Sequence, residues 1–184
     1  GGRCIVKFAS HLGIGGSDFR FLAVDGPHDA AIDDQGTVNL KMKEVDGWKE
    51  IEGDFVLNTG SPHYVRMVSD VMDLDVVKQG MDIRYNETYA REGINVNFVE
   101  LKSPEEIMVR TYERGVEDET LSCGTGVTAS ALVCYHNEVG FNQVKVQTRG
   151  GRLLVKYDRN ADNSFQNIWL CGPAEKVYKG SIEI

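Results

Sequence analysis

A cysteine stands where a polar loop gives way to a helix, in the segment Ser122-Cys123-Gly124-Thr125-Gly126. Glycines at such a point let a ligand approach the backbone closely. The unpaired N–H groups of a helix start bind anions, and they also lower the pKa of a thiol from its usual value of about 8.5. We therefore predict that Cys123 is a reactive thiolate beside a bound carboxylate. The alternative is a buried cysteine without a reactive role, and the two glycines favour the reactive one.

Other polar side chains are suited to hold or activate a small substrate. Arg114, in the pair Glu113-Arg114 that precedes Cys123, can bind a carboxylate with two hydrogen bonds. His63, at the end of a polar turn, can be a base or a hydrogen-bond donor. Asn95 interrupts a strand-like run. Each alone also fits a structural role, as a surface ion pair, a turn histidine or an edge-strand amide, so only their combination indicates a site.

The elements that must position these residues are one helix and several strands, which occur twice along the chain. Apolar residues at helical spacing predict helices at 3–12 and 127–136. Between turn signals, strands are predicted at 20–24, 28–32, 37–42, 55–57, 65–68, 95–101, 107–112, 144–148, 152–157, 167–171 and 176–179. The remaining long segments are predicted as a domain boundary at 43–53, a partly helical stretch at 73–92 and a polar loop at 113–122. This order predicts an α+β fold, with antiparallel sheets wrapped on one helix in each half.

Composition narrows the classes of function. The net charge is −8 and no cluster of Lys and Arg stands out, which argues against nucleic acid as a partner. No apolar run approaches the length of a membrane span. The cysteines form no CxxC pair and fit no zinc module, so we expect no metal and a reducing, cytoplasmic location. We expect the other three to be buried, small apolar residues: Cys4, Cys134 and Cys171.

Four motifs, in order and over essentially the whole chain, resemble those of the diaminopimelate epimerases. They are Asn58-Thr59-Gly60-x-Pro62-His63, Asn95-Val96-x-Phe98, Arg110-Thr111-Tyr112-Glu113-Arg114-Gly115 and Glu119-Thr120-x-Ser122-Cys123-Gly124-Thr125-Gly126. The resemblance implies an α+β fold of two pseudo-symmetric domains, each a mainly antiparallel sheet around a central helix. It places a truncated first domain at 1–48, the second domain at 49–172, and a strand returning to the first domain at 173–184.

The resemblance also implies a reaction. An enzyme of this kind interconverts LL- and meso-diaminopimelate, for lysine and peptidoglycan synthesis, with neither pyridoxal phosphate nor a metal. One cysteine thiolate removes the α-proton in a cleft between the domains, and an opposing thiol returns a proton to the other face, because inversion needs an acid and a base on opposite sides. We therefore expect a cytoplasmic enzyme that needs no cofactor and binds a small-molecule substrate. The resemblance also suggests a homodimer.

Site residues are carried over from the resemblance one by one. The resemblance gives catalytic roles to three residues. Cys123 is the thiol of the second domain, His63 lines the site, and Glu113 lies near the substrate's amino groups. Substrate contacts fall to Ser61, Asn95, Glu113, Arg114, Gly124 and Thr125, the last two through their backbone amides and Asn95 at the distal end of the substrate.

The chain departs from the family pattern in three places. Ser61 stands where the family usually has Asn before Pro-His, which weakens one substrate hydrogen bond or leaves a bridging water there. The link from Arg114 to Cys123 is longer than usual, which changes the reach of Glu113. The family's first motif reads Cys-Gly-Asn-Gly-Gly-Arg-Cys, and this chain begins at its fourth letter. We therefore expect the chain as written to lack the first catalytic cysteine and to be inactive alone, with Cys4 a structural residue.

Alternatives remain open from the sequence. The chain could be a non-catalytic homologue that binds an amino acid, or a racemase of the same fold that acts on another substrate, such as proline or hydroxyproline. Exchange of the α-proton in heavy water separates a catalyst from a binder. A cysteine hydrolase that uses Cys123 and His63 is a third reading, which predicts labelling by acylating reagents.

Overall fold

The computed structural model describes residues 1–23, 25–134 and 138–183, and within them it contains three α-helices and twelve strands. The helices are α1 (Gly2–His11), α2 (Val76–Arg84) and α3 (Gly124–Leu132). The strands are β1 (Asp18–Ala23), β2 (Gly26–Ile32), β3 (Val38–Lys41), β4 (Lys49–Ile51), β5 (Asp54–Asn58), β6 (Pro62–Met67), β7 (Asn95–Ser103), β8 (Glu106–Glu113), β9 (Asp118–Thr120), β10 (Gly140–Thr148), β11 (Gly151–Arg159) and β12 (Phe165–Gly172). The predicted ends of one strand at Val24 and of one helix at His136, like Ile184, lie outside the described residues.

Two compact units divide the chain. The smaller unit comprises Gly1–Lys41 and Cys171–Ile184. In it, β1, β2 and β3 form an antiparallel meander, with α1 as its helix. Val6 is the buried residue of α1, whereas the apolar side chain of Phe8 is 61% exposed.

The larger unit, Met42–Leu170, holds a mixed sheet in the order β12-β11-β10-β8-β7-β6-β5-β4, with β9 added beside β8. The β6–β7 and β8–β10 pairs are parallel, and the β4–β5, β5–β6, β7–β8, β8–β9 and β10–β11 pairs are antiparallel. Helix α3 is buried from Gly126 to Leu132, because its small and apolar residues allow the strands to approach it from several sides. The prediction of an α+β fold with a mainly antiparallel sheet and a central helix is confirmed in this unit.

Helix α2 packs on another part of the same sheet, against β7 and β8. Asp75 caps its start, accepting a hydrogen bond from the amide of Lys78 at 3.0 Å. Gly80 allows α2 to touch β8, since a Cβ at this position would overlap the side chain of Tyr112. The end of α2 at Arg84 therefore lies beside the end of β8.

Two local predictions were wrong. The strand expected at 176–179 is absent, and 173–183 contains no strand; Val177 is 86% exposed, so nothing in the described residues supplies the paired edge that a strand needs. Conversely, β9 lies inside the predicted loop 113–122, where three polar residues pair with the adjacent β8. Among the described residues, no helix has the length and apolar character required to cross a membrane.

Candidate functional site

Cys123 is the N-cap residue of α3, and its thiol faces the start of the helix. Its backbone is extended, and its carbonyl accepts the first helical hydrogen bond from Val127 at 2.8 Å. The Sγ atom lies 3.5 Å from Oγ1 of Thr125, and the amides of Thr125 and Gly126 also hydrogen-bond to the sulfur. Only 8% of the residue is exposed. The Gly-Thr-Gly sequence thus places helix-start amides around the sulfur, which is buried.

The pKa of Cys123 nevertheless differs from the prediction. Burial raises the pKa of the thiol, because it removes the water that would stabilise a thiolate. The hydroxyl of Thr125 and the two amides lower this pKa, and the nearby Glu113 carboxylate raises it again, with burial the largest of these effects. The direction of this shift is opposite to the depressed pKa that the helix start predicts, because burial outweighs the hydrogen bonds to the sulfur.

His63 is completely buried, and its proton can be placed from its neighbours. Nδ2 of Asn97 lies 3.1 Å from Nδ1 of His63 and donates to the carbonyl of Tyr64 at 3.0 Å. Oδ1 of Asn97 accepts from the hydroxyl of Thr111 at 3.0 Å, which fixes the amide orientation. Nδ1 of His63 must therefore accept, which puts the ring proton on Nε2, a buried atom without a hydrogen-bond partner among the described residues.

This environment makes His63 a neutral donor. Burial, helped by the positive charge of Arg114, lowers the pKa of His63 from 6.5 to about 3. Of the two roles left open by the sequence, base or hydrogen-bond donor, the arrangement favours the donor. The ring of His63 packs against α3. A Cβ added to Gly126 of this helix would lie 3.3 Å from Cε1 of His63.

Asn95 connects two other predicted site residues. Its Nδ2 donates to Oγ of Ser61 at 2.8 Å and to the carbonyl of Pro62 at 2.9 Å, and its Oδ1 accepts from the amide of Arg114 at 3.0 Å. Both amide hydrogens of Asn95 are thus used within the chain. Because Ser61 accepts from Asn95, its own hydroxyl hydrogen is available to a ligand.

Glu113 and Arg114 lie at the end of β8. Oε2 of Glu113 accepts a hydrogen bond from the hydroxyl of Thr120 at 2.8 Å, so β9 holds the carboxylate. The guanidinium of Arg114 is exposed and donates one hydrogen bond, to the carbonyl of Glu92 at 3.0 Å. Its remaining donors are suited to an anionic ligand.

The structure links the predicted residues in two groups of the larger unit. One group joins Ser61, Asn95 and Arg114 by hydrogen bonds, and the other joins Cys123, Thr125 and, through its charge, Glu113. The sequence missed the polar residues that support them: Thr59, Asn97, Thr111 and Thr120. Alternation offered a signal for one of these, because Asn97 shares a strand face with Asn95 inside an apolar run.

Thr59 ties the turn before His63 to the start of α3, since its hydroxyl donates to the carbonyl of Thr125 at 2.9 Å. Within the parts of the chain that the structure describes, no group of three or more His, Cys, Asp and Glu side chains is arranged to hold a metal ion.

Comparison with known proteins decides the family. The sequence model named Diaminopimelate epimerase matches residues 55–177. The diaminopimelate epimerase of Flavobacterium psychrophilum is 44% identical over 184 residues, which cover 99% of this chain and 71% of that protein. The chain belongs to the diaminopimelate epimerase family. It is therefore an epimerase, a class of isomerase, and the resemblance of its motifs is confirmed.

Two other diaminopimelate epimerases are also similar to this chain. The diaminopimelate epimerase of Chlorobaculum tepidum is 37% identical, with 100% of this chain and 74% of that protein covered, and that of Aquifex aeolicus is 42% identical, with 99% and 68% covered.

Solved structures confirm the fold of this epimerase-family chain. A probable proline racemase from Agrobacterium radiobacter has a TM-score of 0.63 at 15% identity, with 99% of this chain and 67% of that chain covered. A phenazine biosynthesis protein of the PhzF family from Bacillus anthracis has a TM-score of 0.65 at 12% identity, with 91% and 69% covered. At these identities the likeness supports the shared fold and carries no information on substrate.

Proposed function

We propose that this chain, together with the first cysteine of the family motif, epimerises LL-diaminopimelate to meso-diaminopimelate without a cofactor, with Cys123 as the acid and base on one face of the α-carbon. The observation that carries this proposal is the buried Cys123 thiol among the amides at the start of α3, beside the carboxylate of Glu113. A thiol and its thiolate can exchange a proton with carbon in both directions, which a reversible epimerisation requires.

The same helix start supplies a place for the reacting carboxylate. The amides of Gly124 and Thr125 have no carbonyl partner within the helix, and the positive end of the helix favours an anion there. A carboxylate bound at these amides becomes a better electron sink when the α-proton leaves, since the developing negative charge is met by fixed donors.

The distal end of the substrate would contact the second group of residues. Arg114 offers an exposed guanidinium to the distal carboxylate, and the hydroxyl of Ser61 can donate to the same group. Oδ1 of Asn95 has a second lone pair, which can accept a hydrogen bond from the distal amino group of the substrate. The side chain of Asn95 also holds Ser61 and Arg114 in place. The carboxylate of Glu113 is suited to the substrate's amino groups by its charge.

The opposite face of the α-carbon needs a second acid or base, because inversion delivers the proton from the other side. In the family motif that role belongs to the cysteine of Cys-Gly-Asn, which precedes Gly-Gly-Arg-Cys. Neutral His63, with its proton on Nε2, would support the reaction as a hydrogen-bond donor.

Two chains test the proposal directly: one preceded by an N-terminal segment that ends in Cys-Gly-Asn before Gly1, and a matched control whose segment ends in Ala-Gly-Asn. We expect the first to convert LL- to meso-diaminopimelate in heavy water with deuterium entering at the α-carbon, and the control to lose conversion. Cys123→Ala in the first chain should abolish conversion, and Cys123→Ala in the Ala-Gly-Asn chain should abolish exchange as well, because neither face then has a thiol. Exchange that survives in that double variant, or a folded Cys-Gly-Asn chain without any exchange, would contradict the mechanism.

We also propose a cytoplasmic homodimer. The four cysteines are all free, which fits a reducing compartment, and the family resemblance indicates two copies. Light scattering across a concentration series checks the dimer, and a monomer at all concentrations would contradict it.

Cys4 is exposed in this structure, so the expectation that it is buried is wrong, whereas Cys134 and Cys171 are buried as expected.

A further inference from the structure

Glu117 combines an unusual backbone with a carboxylate that several donors share. Its φ is 59°, in the left-handed region where glycine and asparagine are common and glutamate is rare. Oε2 accepts hydrogen bonds from the hydroxyls of Tyr85 at 2.9 Å and Tyr112 at 3.1 Å, and Oε1 accepts one from the amide of Gly115 at 3.0 Å. A guanidinium nitrogen of Arg84 lies 3.4 Å from Oε1. A strained backbone that persists needs surrounding contacts to hold it, and this carboxylate supplies them.

These contacts close the turn that begins with the proposed substrate residues. The amides of Val116 and Glu117 both donate to the carbonyl of Glu113, at 3.2 and 2.8 Å. The amide of Arg114 donates to Oδ1 of Asn95 at 3.0 Å. Residues 113–117 thus form one turn, bound to β7 at its start and closed by the Glu117 carboxylate at its end. The turn connects β8 to β9, whose pairing of Glu113 with Asp118 holds its two ends together, and the Glu117 carboxylate supplies the side-chain contacts of its second half.

Arg84 extends the same network to the segment before β7. Its Nη1 donates to the carbonyls of Tyr89 at 3.3 Å and Ala90 at 3.2 Å. A Cβ on Gly93 would lie 2.7 Å from both Cδ of Arg114 and Cζ of Arg84, so the two arginine side chains flank this glycine. The ion pair from Arg84 to Glu117 therefore holds a guanidinium that lies on the same glycine as the side chain of Arg114.

We propose that Glu117 is a positioning residue, whose carboxylate fixes the turn 113–117 and thereby aims the guanidinium of Arg114 at the distal carboxylate of the substrate. Two-pronged binding by arginine depends on orientation, and small displacements of a contact residue weaken it strongly. The inference rests on the proposed function, because Arg114 is a substrate contact only there.

Variants at Glu117 can separate the carboxylate from the backbone strain. Glu117→Asn and Glu117→Gly tolerate the left-handed backbone but lose the reach to the tyrosines, and Glu117→Gln keeps the length and one acceptor oxygen. Glu52→Gly is the matched control: Glu52 also has a positive φ, of 55°, and it is exposed in the β4–β5 turn of the same unit.

The first measurement is amide hydrogen exchange of residues 113–117 in the ligand-free full chain. We expect exchange to be about tenfold faster in Glu117→Asn and Glu117→Gly, less so in Glu117→Gln, and unchanged in Glu52→Gly. Melting curves of each variant show that the chain remains folded at the temperature used. Exchange in Glu117→Asn equal to that of the unmodified chain would overturn the inference, whatever the ligand.

The second measurement is calorimetric binding of meso-diaminopimelate and of L-lysine, which lacks the distal carboxylate. We expect the preference for diaminopimelate to fall about tenfold in Glu117→Asn and in Arg114→Lys, to recover in part in Glu117→Gln, and to stay unchanged in Glu52→Gly. Full preference in Glu117→Asn, with loss in Arg114→Lys, would overturn the inference and leave the proposed function intact. No preference in the unmodified chain would contradict the proposed function, while hydrogen exchange still decides whether Glu117 fixes the turn.

Discussion

Gly126 of α3 lies so close to Asn97 of β7 that a Cβ added to this glycine would overlap Oδ1 of the asparagine. The same Cβ would lie 3.3 Å from Cε1 of His63. The second glycine of Gly-Thr-Gly therefore serves the packing of the central helix on the sheet, in addition to the freedom of its backbone at the helix start. It brings α3 into contact with the buried histidine and its hydrogen-bond partner.

We predict that Gly126→Ala destabilises the chain by about 1–3 kcal/mol, because the new methyl group must displace Asn97 and strain its hydrogen bonds. In an unhindered helix the same change would stabilise by about 1 kcal/mol, so the sign itself is diagnostic. Urea unfolding monitored by circular dichroism measures the effect. Gly16→Ala serves as the control, since Gly16 has open space around it. A Gly126→Ala chain as stable as the unmodified one would refute the close packing.

His63 should make the stability of the chain depend on pH. Its pKa is lowered from 6.5 to about 3 in the folded chain, so between these values the unfolded chain binds a proton that the folded chain does not. The stability contributed by neutral His63 is fully present above pH 6.5 and falls by up to about 1.4 kcal/mol per pH unit as the pH drops towards 3. We expect His63→Gln to be less stable at pH 7 but to lack this part of the pH slope. Urea midpoints at pH 4.5 and 7 give the comparison, and parallel slopes would contradict the assignment.

The reactivity of Cys123 should reflect burial and its two polar neighbours. Because burial raises the pKa of the thiol, alkylation by iodoacetamide should reach half its maximal rate at a higher pH than for a cysteine in a short peptide. Glu113→Gln should lower this pH and Thr125→Val should raise it, since the carboxylate raises the pKa and the hydroxyl lowers it. Glu105→Gln, at an exposed position of the same unit, should change nothing. Mass spectrometry of the peptide containing Cys123 gives the rate, and a shift of opposite sign for either variant would contradict this account.

Much of the fold could be predicted from local patterns, and the exceptions depend on pairing. The helix start after Cys123 and the strands at 95–101 and 152–157 have signals within their own residues, so they were found. A polar segment such as 118–120 becomes a strand only because β8 is adjacent, and 176–179 fails to become one because no described edge pairs with it. Neither outcome can be seen in the pattern of the segment alone.

In the site as well, the sequence motifs indicate single residues, whereas the contacts between them depend on the fold. Ser61, Asn95 and Arg114 belong to motifs, but their mutual hydrogen bonds depend on the turn and on strand register. Asn97 meets Thr111 because these residues are paired across β7 and β8, which a single sequence does not reveal. The pKa of Cys123 was predicted in the wrong direction because the helix start is a local feature, whereas burial of the sulfur depends on the whole unit.

Glu119 forms a partly buried ion network with Arg110 and Arg149, which gives the last prediction. Glu119, whose side chain is 8% exposed, binds Arg110 with contacts of 2.7 Å from Nε and 2.8 Å from Nη2, and it accepts a hydrogen bond from Arg149 at 2.9 Å. Glu119→Gln leaves Arg110 without its compensating charge, although its Nη1 still donates to the carbonyls of Val71, Met72 and Leu74. We therefore expect a loss of about 1–3 kcal/mol in the free energy of unfolding at pH 7.

The network should also respond to acid, with a loss of stability that begins at a lower pH than the loss due to His63. The pKa of Glu119 is lowered chiefly by its hydrogen bonds with Arg110, so its contribution is present above the unfolded value of 4.5 and is lost as the pH falls below it. The effect of Glu119→Gln should therefore shrink only below pH 4.5, whereas that of His63 changes from pH 6.5 downward. Asp29→Asn is the control, because Asp29 pairs with Arg20 at 3.6 Å with both side chains more than half exposed, and it should cost less than about 1 kcal/mol. Equal losses for the buried and the exposed carboxylate in urea unfolding at pH 7 would show that burial does not strengthen the Glu119 contacts.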